Sequence, residues 1–200
     1  MTADTRPPQR RLFVAAPIAE EAAATIAALV ERVRSQGVPD GGRDVRWVRL
    51  DGLHVTLRFI GPTPDDRIEA AAEATRAAAA THEPFDVTIS QAGAFPSRGR
   101  PRALWLDILV GAPELSAVAA SVNTALQRQG WEPDDRPLRA HLTLARSDGV
   151  RAGAAIAGRL IEAAADLEVR FRADRIVLFE SLTGGGPARY EPLEVVRLGT

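Results

Sequence analysis

The sequence predicts an α/β or α+β arrangement of two similar lobes packed as one folding unit. Three observations carry that reading. Strand-like and helix-like segments alternate along the 200 residues. The order strand, helix, histidine strand, helix occurs twice, with His54 and His141 each about 40 residues behind the strands that open at Arg11 and Ala103. No low-complexity linker separates the halves, so residues 1–200 are expected to form a single domain.

The elements follow in order. Residues 11–16 (RLFVAA) read as a strand. In residues 18–35, Ile26, Leu29, Val30 and Val33 recur at helical spacing, and Gly37 supplies a stop. Strands are expected at 45–50 and 52–60, with a turn signal at Asp51-Gly52 between them. After Gly61-Pro62, residues 64–80 are alanine-rich and acidic at their start, as a helix N-terminus prefers. The second half repeats the pattern. A strand at 85–90 leads to a Gly/Pro/Arg-rich loop at 93–102, an apolar strand at 103–110 (ALWLDILV), a helix at 113–129, a strand at 138–146 and a helix at 151–165. Segments 167–180 and 188–197 close the fold as strands around Gly184-Gly185-Gly186-Pro187.

Composition excludes whole reaction classes. All 25 members of the Lys+Arg count are arginine, there is no cysteine, and the histidines are His54, His82 and His141. Without lysine there is no Schiff base, lysyl-adenylate or P-loop lysine. Without cysteine there is no thiolate nucleophile, disulfide or cysteine zinc site. A net charge of −1 argues against a broad basic surface for long nucleic acid, so any nucleic acid is expected to be gripped locally. The start, residues 1–10, lacks the apolar core of a secretory signal, and no stretch approaches the roughly 18 apolar residues of a membrane span, so a soluble, cytoplasmic protein is expected.

Two of the three histidines open the same tetrapeptide, His54-Val55-Thr56-Leu57 and His141-Leu142-Thr143-Leu144. Coincidence explains that poorly, at roughly one chance in ten thousand for this composition. In a strand, residues i and i+2 share a face. Each histidine therefore stands beside its threonine, while Val55, Leu57, Leu142 and Leu144 face a core. One imidazole can accept a proton while the other donates one, because the ordinary pKa of histidine lies near neutrality. Hydrolysis of a phosphodiester needs such a pair, and threonine hydroxyls and arginines can hold the phosphoryl oxygens as charge develops. The scheme requires no metal and no cofactor. Arg146 lies on the second histidine strand, and strict alternation places Arg58 on the face of His54 and Thr56. The 93–102 loop adds Arg98, Arg100 and Arg102. His82, in Thr81-His82-Glu83-Pro84, reads as a surface residue.

These motifs and their flanks resemble the RNA 2′,3′-cyclic phosphodiesterase (2′-5′ RNA ligase-like) family of the two-histidine phosphoesterases. The resemblance spans RLFVA (11–15), RWVRLDGLHVTLRFIG (46–61), GAFPSRGRPRALW (93–105), RPLRAHLTLAR (136–146) and VLFESLTGGGPARY (177–190). It implies an α+β, bilobal, duplicated fold, each lobe an antiparallel sheet with helices outside and both motifs facing a central cleft. It also implies His54 as proton donor, His141 as proton acceptor, and Thr56, Thr143 and Arg146 as phosphate ligands. The implied reaction is metal-independent hydrolysis of a terminal RNA 2′,3′-cyclic phosphate to a 2′-phosphomonoester, on RNA ends or small cyclic nucleotides, by a monomer. The residues alone leave the direction of proton transfer open, as they leave the base-stacking aromatic among Phe13, Phe59 and Phe95. Two other functions remain chemically open: the reverse reaction, joining RNA ends through a 2′-5′ linkage, and a nucleotide-binding module without turnover. A metal hydrolase is less favoured, since no HxH or HxxxH spacing exists.

Overall fold

Nine strands and four α-helices occur among the described residues of the computed structural model, which are 9–182, 184 and 187–200. The expectations for residues 1–8, and for Gly185 and Gly186 of the glycine loop, lie outside them. One sheet has the order β3 (His54–Pro64), β1 (Gln9–Pro17), β8 (Arg175–Leu182), β9 (Arg189–Arg197). The other has the order β2 (Arg46–Trp47), β6 (His141–Arg146), β5 (Ala103–Val110), β4 (Phe85–Phe95), β7 (Glu168–Ala173). Every pairing is antiparallel. The fold is α+β, with one histidine strand in each sheet.

The repeat seen in the sequence is real, and the helices link its halves. Each histidine strand pairs with the strand that opens its half, β3 with β1 and β6 with β5. The helix between them crosses over. Helix α1 (Glu20–Arg34) leaves β1 yet packs on α4 (Gly153–Ala163) and β7, whereas α3 (Ala112–Arg128) leaves β5 yet packs on α2 (Ile68–Ala79) and β3. The periodicity explains the docking: Ala22, Ile26, Leu29, Val30 and Val33 make one buried stripe on α1. Gly37 ends the turn after it with φ +69°, a left-handed conformation that suits glycine. Strand β1 is buried at every residue from Leu12 to Ala16, because helices cover one face and an aromatic cluster the other. This is why RLFVAA reads as a continuous apolar run rather than an alternating one. Each fully buried leucine of this core, such as Leu12 or Leu142, contributes about 1.5–3 kcal/mol.

Three expectations are corrected. Asp51-Gly52 does not close a hairpin. It ends a short 3₁₀ turn (Leu50–Gly52) that hands the chain from β2, on β6, to β3, on β1. The expected 167–180 strand is two strands in different sheets, broken at Asp174. There the carboxylate accepts a hydrogen bond from Arg175 at 2.7 Å, and the carbonyl accepts one from the Leu198 amide at 2.9 Å, turning the chain. The expected 64–80 helix begins only at Ile68, because β3 runs on to Pro64 and a 3₁₀ turn (Asp65–Arg67) follows.

Candidate functional site

Strands β3 and β6 lie side by side where the two sheets meet. Each histidine is the first residue of its strand. In both cases the imidazole Nδ1–H donates to the backbone carbonyl two residues earlier: His54 to Gly52 at 2.7 Å and His141 to Arg139 at 2.7 Å. That bond holds the ring orientation and leaves Nε2 as the group that exchanges protons. Both imidazoles line one cleft of about 1110 Å³, together with Thr56, Thr143 and Arg146. Neither threonine hydroxyl has a hydrogen-bond partner among the described residues, so both can serve a ligand.

The two imidazoles differ in setting. Phe13, Phe179 and Tyr190 surround His54, with ring centroids at 5.0, 5.9 and 4.9 Å. Burial there holds its pKa below the ordinary value of 6.5, offset only in part by the Gly52 carbonyl. That desolvation favours the neutral imidazole. A phosphate anion beside it favours the imidazolium, so the proton-donor role implied by the resemblance depends on substrate bringing the charge. His141 has a single aromatic neighbour among the described residues, Trp105, edge-on at 6.2 Å.

Arginine placement turns on two β-bulges. Along β3, Thr56 pairs with Ala15 and Arg58 with Val14, and since Ala15 and Val14 are adjacent in β1, Thr56 and Arg58 face opposite sides. Leu57 is the inserted residue. Arg58 thus leaves the cleft face for the helix-covered face, where it binds the Asp134 carboxylate at 3.0 Å and the Glu132 carbonyl at 2.7 Å. The alternation that placed Arg58 beside His54 does not survive the bulge, and Arg58 is not among the cleft-lining residues. Along β6 the same irregularity has the opposite effect. Thr143 pairs with Trp105 and Ala145 with Leu104, so Arg146, three residues past Thr143, returns to the face of Thr143. In both motifs the fifth residue after the histidine then faces the cleft, Phe59 in one and Arg146 in the other.

Of the three aromatics left open, Phe13 is buried beneath His54, at 2% exposure, while Phe59 is 60% exposed and lines the cleft. Phe95 is exposed on β4, two strands beyond β6. Of the three, Phe59 alone is both exposed and part of the cleft lining. Sequence reasoning missed Arg11 and Tyr190, which also line the cleft. Arg11 shares the cleft face of β1 with Phe13 and Ala15, and the single tyrosine of the chain was there to be noticed.

Two substitutions test this partition. Arg58→Ala is expected to leave KM for substrate within twofold and to lower Tm by several degrees. It removes hydrogen bonds to charge worth about 1.5–3 kcal/mol each, at roughly 2–4 °C per kcal/mol for a chain of this size. A KM rise above tenfold at unchanged Tm would return Arg58 to the site. His82 is not fully at the surface. It is half-buried on the loop after α2, with Nε2 at 2.8 Å from the Ser121 hydroxyl of α3 and no place in the cleft lining. His82→Ala should keep kcat within twofold of the parent, measured under saturating substrate.

A family model described as the 2′-5′ RNA ligase superfamily matches residues 13–185. An RNA 2′,3′-cyclic phosphodiesterase of Aeropyrum pernix is 33% identical over 144 residues, covering 72% of this chain and 77% of the relative. Another, of Methanothermobacter thermautotrophicus, is 32% identical over 157 residues, covering 77% and 83%. Among solved structures, TT0787 of Thermus thermophilus superposes with a TM-score of 0.72 at 24% identity, covering 94% of this chain and 98% of that one. E. coli LigT complexed with 3′-AMP superposes with a TM-score of 0.69 at 24% identity, covering 96% and 99%. These likenesses in structure concern the fold.

Proposed function

This chain belongs to the 2′-5′ RNA ligase superfamily, and from that premise we propose that it is an RNA 2′,3′-cyclic phosphodiesterase that opens a terminal cyclic phosphate to a 2′-phosphomonoester. The observation that carries the reading is the duplicated imidazole–hydroxyl pair in one cleft, each ring held through Nδ1 with Nε2 left free.

The chemistry follows from that arrangement. His141 Nε2 takes a proton from water as its oxygen attacks phosphorus. The P–O3′ bond breaks, and the His54 imidazolium gives its Nε2 proton to the departing 3′ oxygen. The product carries the phosphate on O2′ and a free 3′ hydroxyl. Thr56 and Thr143 donate hydrogen bonds to the non-bridging oxygens, and the Arg146 guanidinium offsets the charge that grows on them. Burial of His54 makes this cycle substrate-linked, since the anion that is to be cleaved also stabilises the proton its leaving group needs. Ligation is the same ring opening with an RNA 5′ hydroxyl in place of water as the nucleophile, and water at about 55 M favours hydrolysis in an open cleft.

No group of three or more His, Asp or Glu side chains placed to hold a metal ion occurs among the described residues. No helix among them is long and apolar enough to cross a membrane. We place the reaction in a single domain acting as a monomer on RNA ends or small cyclic nucleotides. The deciding experiment is mass analysis of the product from an oligonucleotide with a 2′,3′-cyclic phosphate, in EDTA. Gain of one water with the phosphate on O2′, at a rate unchanged by EDTA, is expected. A 3′-phosphate product, or activity abolished by EDTA and restored by a divalent ion, would overturn the scheme.

A further inference from the structure

An RNA that ends in a 2′,3′-cyclic phosphate extends from the cleft only on its 5′ side, toward the rim of one sheet or the other. The two rims differ in charge. On the β3–β1–β8–β9 side, Arg49 is paired with Asp51, Arg189 is near enough to Asp51 to favour its carboxylate, and Arg11 lines the cleft itself. On the other side, Arg98, Arg100, Arg102 and Arg139 are exposed and have no acidic partner among the described residues.

Those arginines border an aromatic surface continuous with the dyad. Trp105 stands beside Thr143 on the cleft face of its sheet and presents an edge to His141. Its indole lies across β4 at Gly93, where a Cβ would collide with the ring, so glycine is what allows it to lie flat. The Arg139 guanidinium covers it, 4.7 Å from the ring centroid. Phe95, two residues past Gly93 and so on the same face, is 67% exposed and stands in register with Ala103, which in turn pairs with Arg146. From β6 to β4 is two strand spacings, about 10 Å, a distance that one or two nucleotides cross. The Arg102 amide is bonded to the Phe95 carbonyl at 2.6 Å, which keeps the base of the arginine loop beside that ring.

We propose that this face of β5 and β4 is a subsite for the RNA segment 5′ of the cyclic phosphate. One base stacks on the Trp105–Arg139 pair and the next on Phe95, with the loop arginines on the phosphodiesters between them. Flat guanidinium and aromatic faces accept any base, so the subsite senses chain length rather than sequence. The proposal rests on the function above and narrows it: the preferred substrate is an oligonucleotide end, not a cyclic mononucleotide.

The test compares kcat/KM for a cyclic mononucleotide and for a tetranucleotide ending in a 2′,3′-cyclic phosphate. The parent should prefer the tetranucleotide. Phe95→Ala, and separately the pair Arg100→Ala with Arg102→Ala, should each lower kcat/KM for the tetranucleotide about tenfold through KM and leave the mononucleotide within twofold. The arginine pair should also flatten the salt dependence of tetranucleotide cleavage. Equal losses on both substrates, or no loss on either, would overturn the subsite. Anisotropy of a labelled tetranucleotide bearing a 2′-phosphate end separates this from the activity itself. If the parent cleaved neither substrate, the cyclic phosphodiesterase reading would fail, while binding weakened about tenfold by Phe95→Ala would still support the subsite and unchanged binding would reject it.

Discussion

His141→Ala is expected to lower kcat/KM on a cyclic-phosphate RNA end by about 10²–10⁴-fold, and His54→Ala by a similar factor. The two residual activities should differ in their response to pH. The parent profile is bell-shaped, since one imidazole must be neutral and the other charged. With His54 gone only the base remains, so the residual rate rises with pH to a plateau. With His141 gone only the acid remains, so the residual rate falls as pH rises. Interchanged slopes would exchange the two roles, and two flat profiles would remove acid–base catalysis from the site. The setting of His54 adds a sign. Burial holds its pKa below 6.5 and a bound phosphate anion raises it, so the alkaline limb of kcat should lie at higher pH than that of kcat/KM. Stability follows the same ionisation. A histidine whose folded pKa is depressed contributes nothing above its unfolded value and costs stability as pH falls through the window between the two, which His54→Ala should relieve.

Thr143→Val is expected to cost about 10²–10³-fold in kcat, with Tm close to that of the parent, and Thr56→Val should behave alike. Valine keeps the β-branched shape that suits the strand and removes only the hydroxyl. Because that hydroxyl has no hydrogen-bond partner among the described residues, its loss leaves no buried donor unsatisfied and should act on the transition state alone. A rate loss within threefold for both variants would make the threonines fillers of the strand and leave the phosphate to the arginines.

The arginines show where reading along the chain stops being sufficient. Alternation puts Arg58 beside His54 and Thr56, and would put Arg146 on the opposite side from Thr143. The bulges at Leu57 and Leu144 reverse both. A bulge depends on how two strands from distant parts of the chain register against each other, and no local pattern in HVTLRF or HLTLAR encodes it. Arg58 then finds a partner only because α3 crosses to the other sheet and carries the segment with Glu132 and Asp134 over β3. That carboxylate, held at about 2 by hydrogen bonds from Arg136 with the charge of Arg58 adding to them, completes a structural cluster, not a substrate clamp.

The sequence by itself determined an α/β or α+β class, the duplication, the two imidazole–hydroxyl pairs and the absence of lysine or thiol chemistry. These are consequences of residue type and of periods of two and 3.6, which are local. The tertiary structure alone decided that the halves exchange helices and that β7 and β8 belong to different sheets. It also decided that three aromatics desolvate His54 but not His141, and that Phe59 and Arg146 occupy equivalent positions on facing strands. All of these depend on contacts between segments far apart in sequence, where packing and register rather than local propensity set which side chains share a cleft.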